Sequence, residues 1–187
     1  GNGEDGLQLF NGAANNTIGG YTAADRNVVS GNNNAGVAID GATSTGNLLV
    51  GNWIGIGADG STALGNTHDG VHMDSAVGNT IGSALAGGRN VISSNLINGI
   101  GLINGSGHTV VGNYIGTNAA GTAARANLGA GVNATGSGNT IGGATAGLGN
   151  VISGNSTYGV SLVGAGATGN TVAGNFIGLT ATGAVML

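Results

Sequence analysis

The sequence predicts an all-β solenoid of six coils with three short strands each, arranged as three two-coil repeats. Three observations predict it. First, blocks recur at a fixed spacing. NTIGG at 16–20 returns as NTIGS at 79–83 and NTIGG at 139–143. RNVVSGN at 26–32 returns as RNVISSN at 89–95 and GNVISGN at 149–155, and GNWIG at 51–55 returns as GNYIG at 112–116 and GNFIG at 174–178. Offsets of 60 to 63 residues define three long repeats, about 1–64, 65–126 and 127–187, in a single domain spanning 1–187. Second, each long repeat halves into two coils that open alike: GLQL, GVAI, GVHM, GIGL, GVNA and GVSL, starting at residues 6, 36, 70, 99, 131 and 159. Third, the apolar runs are short, alternating and β-branched, with Gly and Asn between them and no sustained helical period.

Each coil supplies its elements in the same order. The first strand is the GVxL run, in which alternation turns Val37 and Ile39 inward and Ala38 outward. The second is the NTIG run, with Ile18, Leu49, Ile81, Val110, Ile141 and Val172 inward. The third is the NVIS or NYIG run, with Val29, Ile54, Ile92, Ile115, Ile152 and Ile177 inward. The 43 Gly residues suit turns that need positive φ and would weaken any helix by about 1 kcal/mol each. Strands pair with their equivalents one coil away, so stability grows with the number of stacked neighbours.

Two columns of asparagine mark the turns. Asn27, Asn52, Asn90, Asn113, Asn150 and Asn175 precede the third strand. Asn16, Asn47, Asn79, Asn139 and Asn170 precede the second, with His108 in the remaining coil. A primary amide both donates and accepts, and at a strand spacing of about 4.8 Å such side chains form a ladder in which His108 is a substitute.

These repeats resemble the right-handed parallel β-helix proteins of the pectin-lyase-like superfamily, especially secreted bacterial members with Asn-rich GNTIxGN coils. The resemblance covers the whole chain. It implies a right-handed parallel β-helix and an extracellular or cell-surface location. Enzymes of that superfamily that cleave acidic polysaccharides combine clustered carboxylates with Lys or Arg. The present chain has no Lys, and Arg26, Arg89 and Arg125 are expected in other strands or turns, with Asp25–Arg26 as a turn pair.

Function must lie on the outward columns. On the third strand these are Val28, Trp53, Val91, Tyr114, Val151 and Phe176. The rings Trp53, Tyr114 and Phe176 recur in every second coil, about 9.6 Å apart at twice the strand spacing, which suits the faces of a polysaccharide. The insertions at 19–25, 82–88 and 142–149 supply the competing expectation, that loops fold over the rings and bury them. On the second strand a column of Thr17, Leu48, Thr80, Thr109, Thr140 and Thr171 lies beside Gly19, Val50, Gly82, Val111, Gly142 and Ala173. A flat Thr face resembles ice-binding solenoids, and Thr is also simply a good strand residue. On the first strand, HDGVHMD at 68–74 puts His72 and Asp74 outward, with Asp40 at the place of Asp74 one coil earlier. Asp40, His72 and Asp74 are thus candidates for acid–base catalysis or for holding a divalent cation, against the plainer reading of a solvated polar rung.

Composition narrows the classes. A formal charge of −4 with three basic residues argues against nucleic acid as a partner. Absence of Cys excludes disulfides and thiolate metal sites, and no apolar run is long enough for a membrane helix. The chain reads as one segment of a longer array, or as a unit that stacks end to end. The function expected is a non-enzymatic structural or adhesive spacer that binds neutral polysaccharide along Trp53, Tyr114 and Phe176, with no cofactor required and a divalent cation only as an option. A polysaccharide hydrolase or lyase using Asp40, His72 and Asp74, and ice binding on the Thr face, are the alternatives.

Overall fold

A computed structural model describes residues 1–187. Coil one contributes β1 (Leu7–Leu9), β2 (Thr17–Gly19) and β3 (Val28–Val29). Coil two contributes β4 (Val37–Asp40), β5 (Leu48–Val50) and β6 (Trp53–Ile54). Coil three contributes β7 (Val71–Asp74), β8 (Thr80–Ile81) and β9 (Val91–Ile92). The fourth holds β10 (Ile100–Ile103), β11 (Thr109–Val110) and β12 (Tyr114–Ile115). The fifth holds β13 (Val132–Ala134), β14 (Thr140–Gly142) and β15 (Val151–Ile152). The sixth holds β16 (Val160–Leu162), β17 (Thr171–Ala173) and β18 (Phe176–Ile177). One 3-10 turn, Ala23–Asp25, is the only helix, and no helix is long and apolar enough to cross a membrane.

The strands assemble as expected into three parallel six-stranded sheets. Sheet A orders β1-β4-β7-β10-β13-β16, sheet B β2-β5-β8-β11-β14-β17 and sheet C β3-β6-β9-β12-β15-β18. Every strand pairs with its equivalent in the neighbouring coil, as in Trp53 with Val91 and Val91 with Tyr114. The bore is a continuous aliphatic stack in which Ile39, Leu49, Ile54, Met73, Ile81, Ile92, Ile115, Ile141 and Ile152 are fully buried. Burying one such side chain stabilises by about 1.5–3 kcal/mol. Val172 and Ile177 depart from the expectation and are 40% and 47% exposed. They belong to the sixth coil, which has a neighbour on one side only. Ala38 departs the other way: it points outward but is buried, flanked in register by the larger Gln8 and His72.

Both asparagine columns form ladders, the one before sheet B broken at His108. Asn27 donates to Asn52, Asn52 to Asn90, Asn90 to Asn113, Asn113 to Asn150 and Asn150 to Asn175, at 2.9–3.2 Å. A third ladder, not expected, runs through Asn2, Asn32, Asn66, Asn95, Asn127 and Asn155 at 2.8–2.9 Å. Each of its members lies five residues before a sheet A strand. All three ladders satisfy turn amides that burial removes from water.

The two-coil period has its own structural cause. In even coils a short hairpin follows the sheet C strand, bridged Ile56–Ala63, Thr117–Ala124 and Leu179–Met186. These hairpins reach past the intervening coil to touch each other: Ala119 N–H donates to Gly60 C=O and Ala181 N–H to Gly121 C=O, both at 2.9 Å. Arg125 clasps the first two hairpins through Ser61, donating to its carbonyl and, at 2.7 Å, to its hydroxyl. The odd-coil insertions stack likewise, with Gly87 against the Tyr21 carbonyl and Gly147 against Ala84. On sheet B, Gly19, Gly82 and Gly142 take φ of 84–88°, so the chain turns there. Val50 and Val111 are buried, which corrects the expected second outward column and leaves a single, partly exposed Thr column.

Candidate functional site

Two outer faces gather reactive side chains. The first is the groove on sheet A, and it starts from a backbone constraint. Each coil opens with a Gly packed too tightly for a side chain; a Cβ on Gly70 would lie 2.5 Å from Ile92 and 2.6 Å from the Asn95 amide nitrogen. The residue before that Gly faces the next coil. From there Asp69 Oδ1 accepts the Asn98 N–H at 2.8 Å and its side-chain amide at 3.0 Å. Asp5 does the same for the Ala35 N–H and Asn98 for the Ala130 N–H, both at 2.9 Å. A single oxygen suffices for this rung, so the second oxygen of Asp69 is surplus to the scaffold.

That oxygen, Oδ2, lies 2.8 Å from His72 Nδ1 and 3.6 Å from His68 Nδ1, and the Asp69 side chain is only 2% exposed. His72 stands outward on β7 between Ala38 and Gly101. A Cβ on Gly101 would collide with Asp69 Oδ2 and reach 3.5 Å from His72 Nδ1, so the pair leans over a residue that has to be Gly. The two imidazoles meet edge to face, with centroids 5.0 Å apart. The hydrogen bond to Asp69 holds His72 above the ordinary histidine pKa; burial opposes the rise, and the charges of Asp69, Asp40 and Asp74 add to it.

The structure brings the sequence candidates together. Asp40, His72 and Asp74 line one groove of about 320 Å³ with Glu4, Asp5, Gln8 and His68. Asp40 and Asp74 are lateral neighbours in register. Asp74 Oδ1 is held by the Ser75 hydroxyl at 3.0 Å and the Asn104 amide at 3.2 Å, whereas Asp40 Oδ1 is buried without a partner. His68 and Asp69, in the same HDGVHMD run, were not picked out by strand alternation because they sit in the turn. The groove contains four carboxylates and no Arg, so its field suits cations and repels acidic polysaccharide. Chemically, Asp69 can orient His72 as a base, or the His–Asp–His set can bind a metal.

The second face is the outside of sheet C. The Arg26 guanidinium lies 4.1 Å over the Trp53 ring and that of Arg89 lies 3.9 Å over Tyr114. Each Arg Nε also donates to a carbonyl, Gly51 at 3.3 Å and Gly112 at 3.4 Å, which fixes the plane of the cation on the ring. Arg26 does not pair with Asp25, contrary to the sequence reading. Asp25 instead accepts from Thr22, whose hydroxyl lies 2.7 Å away and whose N–H lies 3.1 Å away. In the third repeat Gly149 replaces the Arg, and Phe176 is 43% exposed. The expected covering of the rings is therefore partial: Trp53 and Tyr114 are half-buried, under Arg on one side and hairpin Gly60 and Gly121 on the other. The rings close over the valines between them, so Val91 and Val151 are buried. Two clefts open along this face, one of about 430 Å³ lined by Arg26, Trp53 and Arg89, and one of about 330 Å³ between two rings, lined by Arg89, Tyr114 and Phe176. A signal for the Arg residues was present in the sequence: both stand one position before a ladder Asn.

Comparison with protein-family models, with curated proteins and with solved structures gave no match.

Proposed function

We propose that this chain is a structural and adhesive solenoid that lays an extended polysaccharide along the outer face of sheet C. The observation that carries the reading is the repetition of ring-lined clefts every second coil, with Arg26 and Arg89 as the only charged residues lining them. Guanidinium nitrogens not used on Gly51 and Gly112 are free to donate to ligand oxygens. The sequence alone suggested a neutral polysaccharide; the two cations favour one that carries carboxylates, with ring edges against its apolar faces. Membership of the pectin-lyase-like superfamily and an extracellular or cell-surface location belong to the same proposal and rest on the GNTIxGN repeats. The exposed core positions Val172 and Ile177 suit the stacking of a further coil of the same pattern, either from flanking repeats or from another copy.

Affinity electrophoresis through gels containing a polyuronate or a neutral β-glucan tests the reading. Arg89→Ala, which touches both clefts, is expected to weaken polyuronate binding by about tenfold, the effect of roughly one charge-assisted contact. Trp53→Ala is expected to weaken binding to either ligand. Migration unchanged by both substitutions removes sheet C as a binding face.

A further inference from the structure

We propose that His68, Asp69 and His72 form a binding site for one divalent transition-metal ion of the Zn²⁺ type, with an open coordination position facing the sheet A groove. The proposal is independent of the polysaccharide reading and concerns the opposite chemistry, a cation on an acidic face.

Geometry carries it. His68, Asp69 and His72 each offer one ligand atom, and these three atoms all lie within 4.8 Å of one another. Ligands about 2.0–2.1 Å from a tetrahedral zinc ion are separated by roughly 3.3 Å. Asp69 Oδ2 stands 2.8 Å from one imidazole nitrogen and 3.6 Å from the other, so these two separations bracket the tetrahedral edge; the third, between the imidazoles, is closed by rotation of the His68 ring, whose side chain is 37% exposed. Binding replaces the proton shared by His72 and Asp69 with the metal, and that proton leaves to solvent, so affinity falls with acidity.

Three further features separate this set from a chance polar rung. Asp69 Oδ2 has no scaffold duty, because the equivalent Asn98 does the rung's work with one oxygen. Asp69 is buried, and a buried carboxylate calls for a cation or its equivalent. Gly101 provides the space into which the Asp69–His72 pair leans. Asp40 Oδ1, buried and unpartnered, lines the groove next to this set together with Asp74 and Glu4. They add negative potential that draws a cation in. Two imidazoles with one carboxylate favour zinc-like ions over Ca²⁺ or Mg²⁺, which take all-oxygen sites. Three protein ligands leave the fourth position for water or a ligand carried in the groove.

The test is calorimetric titration of the untagged, chelator-stripped chain with ZnCl₂, paired with Co²⁺ absorption to report tetrahedral geometry. One ion per chain is expected. Asp69→Asn retains the oxygen that Asn98 N–H needs, so that variant stays folded by circular dichroism and loses at least about a hundredfold in affinity. The combined His68→Ala/His72→Ala variant is expected to abolish binding. Gly101→Ala, which displaces Asp69 from His72, is expected to lose about tenfold, in the range found when groups supporting metal ligands are removed. Absence of saturable Zn²⁺ binding overturns the proposal, as does binding that survives Asp69→Asn and the double His variant. Equal competition by Ca²⁺ also overturns it, by placing the ion on the oxygens of Asp40 and Asp74.

Discussion

His72 and His108 are the two histidines placed by strands of the repeat, and they occupy opposite sides of the wall. His108 is fully buried at a ladder position where the other coils carry Asn. Its Nδ1 accepts the Asn79 N–H at 3.2 Å and its own N–H reaches Asn139 at 3.0 Å, but Nε2 has no partner. The Asn79 amide keeps the bond to the preceding coil that intact rungs also make, to Ser44 C=O at 2.9 Å, but meets no amide oxygen in the next coil. The ladder is interrupted there, and only backbone, at Ala76 and Gly105, lies beside the rest of the ring. His72 is outward, where the equivalent positions of the other coils are Gln8, Ala38, Gly101, Asn133 and Ser161, a column with no common demand. Yet it has a dedicated carboxylate, a clearing at Gly101 and a second imidazole beside it. A departure from the repeat on the inside is a tolerated fault in the scaffold. A departure on the outside that brings its own supporting residues is a candidate for chemistry.

The sharpest way to break that contrast is to damage an intact rung. Asn113 donates to Ile81 C=O, Val111 C=O and Asn150 Oδ1, and accepts from both the backbone and the side chain of Asn90. Asn113→Ala strands several buried polar groups at once, at about 1–3 kcal/mol for each one left unsatisfied. A loss of about 3–5 kcal/mol is expected, read as a lower urea midpoint at unchanged slope. A loss below about 1 kcal/mol would show that the ladders merely decorate the sheets.

Next in size is the Asp69 rung, where scaffold and site share one side chain. Asp69→Ala removes the acceptor for Asn98 and is expected to cost about 1–3 kcal/mol. Asp69→Asn keeps that acceptor and is expected to cost under about 1 kcal/mol. Equal losses would mean that Oδ2 and His72 stabilise the fold after all, and the distinction between rung and site would fail. The repair of His108 follows. His108→Asn restores a side-chain donor toward Asn139 and an acceptor for the Asn79 side-chain amide, and a gain of about 1 kcal/mol is expected from the hydrogen bonds recovered. Destabilisation instead would show that the imidazole fills space beside Gly105 that an amide leaves empty.

What could be seen in the sequence follows from the same contrast. The sheets, the core columns and two ladders repeat in every coil at nearly constant distance from an apolar run, so register and alternation expose them. The third ladder obeys the same chemistry. Its members also keep a constant five-residue distance to the following sheet A strand, but in even coils a hairpin separates Asn66 and Asn127 from the preceding strand and in odd coils Asn32 and Asn95 sit among other turn Asn residues, which hides the column. The stacking of Arg26 on Trp53 and of Arg89 on Tyr114 joins residues in different coils; the ladder Asn that follows each Arg marks where it stands, but no local pattern reports what it touches. Asp40, His72 and Asp74 could be picked out because alternation governs strands. The HDGVHMD run shows that His68 and Asp69 are near His72 in sequence, but not that their side chains meet it, because they do so through a turn, where alternation carries no information.

The smallest expected effect is the one that separates the two histidines most directly: their titration. In chelator-treated protein, Asp69 raises the pKa of His72 while burial lowers that of His108. Relative to an unfolded histidine near 6.5, His72 binds its proton more tightly when folded. Its contribution to stability is fully present below about pH 6.5 and is lost as pH rises through the folded pKa. His108 binds its proton less tightly when folded, so stability is undiminished above about pH 6.5 and falls as pH drops toward its folded pKa. Asp25 and Asp59, the latter lowered to about 2 by Thr62 and Ser61, titrate below this window. The two histidines therefore place a shallow stability maximum near pH 6.5. His72→Ala is expected to flatten the alkaline side and His108→Asn the acid side, each leaving the other side unchanged. Imidazole proton shifts followed from pH 5 to 9 check the assignment residue by residue. If the two rings titrate together, the outward histidine has no partner that the inward one lacks, and the case for a site on sheet A goes with it.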